Sequence, residues 1–347
     1  MRVLGVPGSE NSYTRRLWQA FRSLGIEVIE SRYPSFRWPR NLLKFSLQLL
    51  KSPDLCHVHW YLSDSLYLTR KLFSRDLAKV WTVHNIVPHA PVFRDDLLVT
   101  RLYLDSVDIA VWHSSRSIED ARGRFAARGL PTTWRAENRV IPCMNYNGVW
   151  PDTVSDAEAR ERLGIEGSAF VVGHFAPIYP YKGTATFLDA IRRVRRKDVL
   201  FCIFGETKDP ALESLMREAA ASLPNLRLHL RYIPDEELQY WFKACNVVVQ
   251  PFTNLTTSAA IYFPIAFKRP VIATPLGNIP DIVRHGETGW IARDAHEVAA
   301  AIEEAARKPE VARSMGENAY EWVARFADIA TVAEKHVEAY ERAIALR

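Results

Sequence analysis

Short apolar runs alternate with amphipathic stretches along this chain, and the alternation halts at a turn-rich break before starting again. That pattern leaves few folds open. A strand buried on both faces must be apolar along its length, and a helix laid over it must be apolar on one side only. Together they describe a parallel, doubly wound α/β sheet. In the first half the runs at 3–6, 27–31, 55–59, 80–84, 109–113 and 139–142 read as strands, with helical periodicity at 14–24, 42–50 and 115–127. Asn145-Tyr-Asn-Gly-Val-Trp-Pro-Asp152 then interrupts the pattern. A short helix at 157–163 leads into strands at 170–175, 200–204, 226–230, 247–250 and 271–273, with helices at 211–223, 235–243 and 257–267. From Asp294 onward the pattern is helical. Two α/β domains are expected, at 1–150 and 151–325, followed by a terminal helix at 326–347 that packs back toward the first domain.

A chain of 347 residues is long for one core and comfortable as two. Its charge is uneven. Residues 1–150 hold 21 Lys and Arg against 13 Asp and Glu, whereas the remainder holds 24 against 27. A basic first half points to an anionic partner for that half, and an anionic membrane surface or a phosphate-bearing acceptor fits it. The basic residues form no dense run and no nucleic-acid motif is present, so nucleic acid is not expected. Cys56, Cys143, Cys202 and Cys245 lack metal-ligand spacing and read as buried thiols of a cytoplasmic protein. No run of about 18 uncharged apolar residues occurs, and Met1-Arg-Val-Leu-Gly-Val-Pro7 reads as a first strand rather than a signal peptide.

Six segments carry the chemistry. Arg269-Pro-Val-Ile-Ala-Thr-Pro-Leu-Gly-Asn-Ile-Pro-Asp281 runs from a strand into a Gly-Asn turn and an acid-bearing helix start, and His285-Gly-Glu-Thr-Gly289 adds a second glycine turn. Such turns bring bare backbone N–H groups to phosphate or sugar oxygens. Gly173-His-Phe-Ala-Pro-Ile-Tyr-Pro-Tyr-Lys-Gly183 is a strand-to-helix loop ending in a cation. Thr253-Asn-Leu-Thr-Thr-Ser-Ala-Ala260 is a hydroxyl-rich turn that either caps a helix or offers donors to phosphate. In the first half, His57-Val-His-Trp60 and Thr82-Val-His-Asn-Ile-Val-Pro-His89 end two strands, where ligand-facing residues of open sheets gather.

In that order these segments resemble the GT-B glycosyltransferases, close to the family-4-like group and to bacterial exopolysaccharide transferases. The resemblance implies two Rossmann-like domains facing a cleft, with a nucleotide-diphosphate sugar bound by the second and a saccharide acceptor, plausibly lipid-linked, bound by the first. It implies Lys182 on the donor diphosphate, with Tyr179, Thr256, Thr257, Ser258, Gly277, Asn278 and Asp281 around the donor. Asn278 stands where the family has a second glycine, and asparagine tolerates a left-handed backbone. His174 occupies a place where the family often has Arg. Two family glutamates are absent, and alignment puts Leu255 and Phe263 in their places.

For the acceptor half the reading gives His84 and His59 as acid/base candidates. Asp96, beside Asp95, is either a further base or an acid in the first turn of a helix. Asn11, Trp60, Asn85 and His89 are acceptor-binding candidates. His57 reads as a core histidine. No metal and no cofactor beyond the sugar nucleotide are implied, since the Asp-x-Asp of metal-dependent GT-A enzymes is missing. Lys44, Gln48 and Lys51 fall on one helical face opposite Leu42, Phe45 and Leu49. That helix either packs on the sheet with a solvated face or rests on anionic lipid at the inner face of the cell membrane. A nucleotide-sugar 2-epimerase and a non-catalytic partner subunit are the other readings open to a chain of this pattern.

Overall fold

In the computed structural model, which describes residues 1–175 and 177–347, the chain divides into two units, Met1–Met144 with Ala327–Arg347, and Asn145–Phe326. The first contains strands β1 (Arg2–Val6), β2 (Glu27–Glu30), β3 (Leu55–His59), β4 (Ala78–Val83), β5 (Ile109–Trp112) and β6 (Glu137–Val140). They form one sheet in the order β2-β1-β3-β4-β5-β6, with every pairing parallel. Helices α1 (Ser12–Ser23), α2 (Pro39–Leu49), α3 (Leu66–Phe73), α4 (Asp96–Ser106) and α5 (Ser115–Ala127) fall between the strands. The strand direction of travel reverses between β1 and β3, and in open α/β sheets the crevice at such a switch point is where ligands bind.

The second unit repeats the plan with β7 (Phe170–Phe175), β8 (Val199–Phe204), β9 (Leu226–His229), β10 (Val247–Gln250), β11 (Val271–Ala273) and β12 (Gly289–Ile291). Their order is β12-β11-β10-β7-β8-β9, again all parallel, with the switch point between β7 and β10. Its helices are α6 (Asp156–Arg162), α7 (Thr184–Arg193), α8 (Pro210–Ser222), α9 (Leu238–Ala244), α10 (Tyr262–Ala266), α11 (Ile279–Ile282), α12 (Ala295–Arg307) and α13 (Pro309–Phe326). The last helix, α14 (Ile329–Ala345), belongs to the first unit, where it packs against α1, β3, β4 and β5. A large core cluster covers one face of each sheet, with Leu4, Val58, Trp81 and Trp112 in the first unit and Val172, Phe201, Val249 and Ile272 in the second.

Local chemistry explains where helices begin. The side chains of Asn11, Ser65, Asp95 and Ser114 each accept a backbone N–H at the start of α1, α3, α4 and α5, and Ser155 and Glu158 form a reciprocal capping box on α6. Two expectations fail here for physical reasons. The helix anticipated at 257–267 is only Tyr262–Ala266. Pro264 lacks an N–H and its ring would collide with the carbonyl of Ala260, so it is tolerated only in a first turn. The Ala260 carbonyl instead accepts from the Gln250 amide at 3.1 Å. The helix read at 235–243 begins instead with a 3₁₀ turn, Asp235–Glu237, and α9 follows only from Leu238. Leu238 and Trp241 do face the core, and the four cysteines are free and buried.

Helix α2 is exposed on more of its surface than its sequence suggested. Phe45 is buried and Leu42 and Leu49 are half-buried, as the helical pattern required. Leu43, Leu47 and Leu50, however, form a second apolar stripe left in solvent beside Lys44 and Lys51.

Candidate functional site

Lys182 ends a 3₁₀ turn, Pro180–Lys182, that follows β7 at the switch point of the second unit. Gly183 closes the turn at φ +77°, and a Cβ there would lie 1.7 Å from the carbonyl oxygen of Pro251. Only glycine lets the loop after β7 lie directly on the loop after β10. The contact folds the lysine inward until it is 8% exposed. Its Nζ sits 5.1 Å from the Tyr181 ring and 5.0 Å from the Phe252 ring. No carboxylate among the described residues pairs with it. Burial alone pulls its pKa down to about 8, so at neutral pH this is a buried ammonium whose countercharge is not supplied by the protein. Tyr179 is exposed, with its ring stacked 5.9 Å from that of Tyr181. His174 provides no second cation. Its Nδ1 is 2.9 Å from the Val249 carbonyl and its Nε2 3.0 Å from Thr184 Oγ1, and burial lowers its pKa to about 4.

The hydroxyl-rich loop and the Gly-Asn turn close on each other beside this lysine-bearing loop. Gly277 takes the left-handed backbone (φ +51°), and a Cβ on it would meet the Thr256 carbonyl at 2.1 Å. Asn278 does not use the left-handed backbone that asparagine tolerates and is right-handed at φ −81°. Its amide instead clamps the loop, accepting from Ser258 N–H at 2.9 Å and donating to the Ser258 carbonyl at 3.4 Å. Thr256 and Ser258 are buried, and the Thr257 hydroxyl is buried without a hydrogen-bond partner among the described residues. Because α10 starts at Tyr262, Thr257 and Ser258 do not cap it. Asp281 lies half-buried in α11, its carbonyl accepting from Trp322 Nε1 at 3.1 Å. Leu255 is buried, and Phe263 packs 4.4 Å from Trp150. The places of the two family glutamates have therefore been absorbed into apolar packing, where a carboxylate would be stranded.

In the first unit, His59 and His84 stand at the carboxyl ends of adjacent strands β3 and β4. His59 Nδ1 and His84 Nε2 share a hydrogen bond of 3.0 Å. His84 stacks on Trp60 at 4.2 Å, and Tyr13 meets both imidazoles edge-on. His113, at the end of β5, adds a ring 5.0 Å from His84. Burial, and then the neighbouring imidazoles, hold His59 and His84 well below the ordinary histidine pKa, so both are neutral. His57 is spoken for at both nitrogens, by Tyr340 OH at 2.6 Å and Thr82 Oγ1 at 2.7 Å. Among the described residues no three His, Cys, Asp or Glu side chains converge as a metal-ligand set.

Asn11, Trp60 and Asn85 line one pocket of about 650 Å³ at the switch point, together with Tyr33, Trp38 and Trp81. His89 is exposed on the loop after it. Asp96 is placed otherwise than expected of a base. Its two carboxylate oxygens accept the backbone N–H groups of Val92 (3.1 Å) and Phe93 (3.0 Å), so it holds the loop ahead of α4. Asp95 caps α4 and pairs with Arg128 at 2.8 Å. The aromatic cage of Tyr181 and Phe252 and the pocket walls from Tyr33, Trp38 and Trp81 were not anticipated. Their signal in the sequence is aromatic residues next to turn residues at strand ends.

Comparisons with known proteins bear on the fold and on the second unit. Residues 168–308 match the family model described as Glycosyl transferases group 1. A GDP-mannose:glycolipid 4-beta-D-mannosyltransferase of Xanthomonas campestris pv. campestris is 28% identical over 250 residues, 70% of this chain and 67% of that protein. A D-inositol 3-phosphate glycosyltransferase of Corynebacterium glutamicum is 24% identical over 314 residues, 84% of this chain and 73% of that protein. Among solved structures, Anabaena HepE in complex with UDP-glucose superposes with a TM-score of 0.74 at 17% identity, covering 98% of this chain and 99% of that one. The sucrose-phosphate synthase of Thermosynechococcus elongatus gives a TM-score of 0.78 at 20% identity over 100% of both chains. With a GT-B fold throughout and a group 1 domain over residues 168–308, this chain is a glycosyltransferase.

Proposed function

We propose that the second unit binds a nucleotide-diphosphate sugar through Lys182 and that the first unit presents a saccharide acceptor carried on a lipid, in exopolysaccharide or related glycan assembly. The observation that carries this reading is the buried, carboxylate-free ammonium of Lys182 at a switch point. A diphosphate is an anion of the right charge for that place. As the bond from the anomeric carbon to the diphosphate oxygen breaks, negative charge grows on the leaving group, and a fixed cation in a low-dielectric site stabilises it. The unpartnered Thr257 hydroxyl and the Tyr179 ring complete the donor contacts, with Asp281 on the sugar hydroxyls.

On the acceptor side, the attacking hydroxyl oxygen forms the new bond to the anomeric carbon and gives its proton to His84. The hydrogen bond to His59 orients that imidazole. His84 is neutral at physiological pH and so has a lone pair to offer, although burial weakens it as a base and it takes the proton only as the hydroxyl attacks. The glycolipid named for the Xanthomonas relative supports the lipid-linked acceptor, as does the exposed apolar stripe of α2 flanked by Arg37, Arg40, Lys44 and Lys51. An amphipathic, basic helix of this kind lies on anionic lipid surfaces. No helix among the described residues is long and apolar enough to cross a membrane.

The reading is tested by calorimetric titration of UDP-, GDP-, ADP- and TDP-sugars into the protein and its Lys182→Met variant. One sugar nucleotide is expected to bind the parent and to lose most of its affinity for the variant; equal binding to both would refute the diphosphate assignment. Co-sedimentation with phosphatidylglycerol vesicles is expected to fall sharply in Leu43→Asp with Leu47→Asp. Unchanged sedimentation would remove α2 from the membrane surface.

A further inference from the structure

The pocket of about 650 Å³ in the first unit exposes mainly apolar wall, much of it aromatic ring, although Glu10, Asn11, Arg32, Ser63 and Asp64 also line it. Tyr33, Tyr61 and Trp81 all line it, and each turns its polar end into the protein. Tyr33 OH donates to the His59 carbonyl at 3.2 Å, Tyr61 OH to the Asp96 carbonyl at 2.8 Å, and Trp81 Nε1 to the Trp60 carbonyl at 2.5 Å. The last bond is available because Trp60 holds a left-handed backbone, φ +55°, which is strained for a bulky residue. What these residues offer a ligand is ring surface. A bare saccharide there would lay many of its hydroxyl groups against ring surface that offers them no donor or acceptor, and unmet hydrogen bonds are costly.

The rim differs from the walls. The side-chain amides of Asn41 and Asn85 line the pocket and make no hydrogen bond within the protein among the described residues. The charges nearby are already matched, Arg32 with Glu10 at 3.5 Å and Arg37 with Asp64 at 3.4 Å. Trp38 also lines the pocket while standing 66% exposed, immediately ahead of α2. From it an apolar path continues over the surface through Leu43, Leu47 and Leu50, with Phe36 stacked on Tyr67 at 6.3 Å beside it. An apolar interior that opens through a tryptophan onto an exposed apolar helix suits an amphiphile whose chain can pass from one to the other.

We infer that this pocket holds the apolar chain of the acceptor lipid next to its polar linkage, the chain entering past Trp38 and the linkage resting on the amides of Asn41 and Asn85. The inference rests on the first unit being the acceptor half. It assigns to that half a lipid-chain subsite distinct from the outer face of α2, so that the enzyme grips the carrier itself as well as the membrane.

The probe is farnesyl phosphate below its critical micelle concentration, titrated by calorimetry and by tryptophan fluorescence. Cellobiose and inorganic phosphate serve as the chain-free arms, and sugar-nucleotide binding is measured on the same preparations. Farnesyl phosphate is expected to bind saturably with a negative heat-capacity change, while cellobiose and phosphate alone do not. Val92→Trp, at an exposed position on the pocket wall, is expected to weaken it at least tenfold by filling the space, and Trp38→Ala to weaken it severalfold. Leu50→Asp, on the outer face of α2, should leave it unchanged. Binding that survives Val92→Trp, or that is lost in Leu50→Asp, would place the chain on the surface and overturn the subsite. Cellobiose binding in place of farnesyl phosphate would overturn it too, as would no binding by a preparation that still binds its sugar nucleotide. The last result would leave the donor reading intact.

Discussion

Replacing Lys182 by Met separates what this residue costs the folded chain from what it does for a ligand. Burial lowers its pKa from 10.5 to about 8. A lysine whose folded pKa lies below its unfolded value destabilises the fold wherever it must be charged. The cost is full below pH 8, shrinks between 8 and 10.5, and is gone above. A gap of that width corresponds to about 3 kcal/mol at pH 7. Contacts of the ammonium with Tyr181 and Phe252 offset about 1 kcal/mol of it, leaving about 2 kcal/mol net. Methionine keeps most of the apolar length and carries no charge. Lys182→Met is therefore expected to be more stable than the parent at pH 7, with a melting temperature raised by roughly 4–8 °C for a unit of this size. By pH 9.5 the difference should have shrunk by more than half, because the folded parent is then largely neutral there, and it should close above pH 10.5. The same variant should lose affinity for the sugar nucleotide by a factor on the order of 100, the worth of a hydrogen bond to a charged group. Thermal melts and urea titrations at the two pH values, paired with calorimetry, measure both effects. A variant less stable than the parent at pH 7, or a gap that ignores pH, would show that the ammonium has a countercharge in the protein. The reasoning from an unpaired cation to an anionic ligand would then fail.

Acid should unfold the first unit early. His57, His59, His84, His113 and His336 are all buried and all have lowered pKa values, so below about 6.5 the unfolded chain takes up protons that the fold refuses. Each ring then removes up to about 1.4 kcal/mol per pH unit, and urea midpoints flat from pH 7 to 5.5 would contradict it. Gly183→Ala, which must displace the Pro251 carbonyl, should abolish donor binding, whereas Gly286→Ala, left-handed but facing open space, should cost about 1 kcal/mol and leave binding alone. If both variants bind donor alike, the close approach of the two loops does not build the site. Asp96→Asn should lower the melting temperature and leave kcat within about twofold; a fall of about a hundredfold or more would restore Asp96 as a base.

Much of the fold was legible because strands buried on both faces, such as Ile109–Trp112 and Val247–Gln250, are apolar in near-continuous runs without alternation. Helices buried around much of their circumference lose that clarity. Helix α4 buries Asp96, Leu97, Val99, Thr100, Tyr103 and Leu104, and with so weak a periodicity only the acids at its start, Asp95 and Asp96, mark it in the sequence. At the donor site the sequence showed which residue types gather but not their conformations. Whether Gly277 or Asn278 takes the left-handed backbone depends on the Thr256 carbonyl lying against it, a contact between segments about twenty residues apart. The same limit applied at the acceptor site. The pocket walls come from the ends of four strands and meet only once the sheet has formed. Asp96 looked like a cleft acid because its loop partners, the N–H groups of Val92 and Phe93, are backbone atoms that no sequence pattern marks.

The charge of the two halves runs opposite to the charge of their sites, and this says which charges reach which ligands. The first half has the surplus of Lys and Arg, yet its pocket is electrically quiet, with Arg32 and Arg37 tied to Glu10 and Asp64 and the neighbouring imidazoles neutral. Its unspent cations, Arg40, Lys44 and Lys51, lie on and beside α2 in solvent. The second half is mildly acidic, yet the charge at its switch point is one buried ammonium. Exposed charges act at a distance and are screened within about 8 Å at physiological ionic strength, while a buried one is screened far less. Salt therefore tells the two roles apart. Raising it should release the protein from anionic vesicles while the sugar nucleotide stays bound to Lys182. If both interactions weakened in parallel, the donor site would owe its affinity to surface charge, and the buried lysine would not be its anchor.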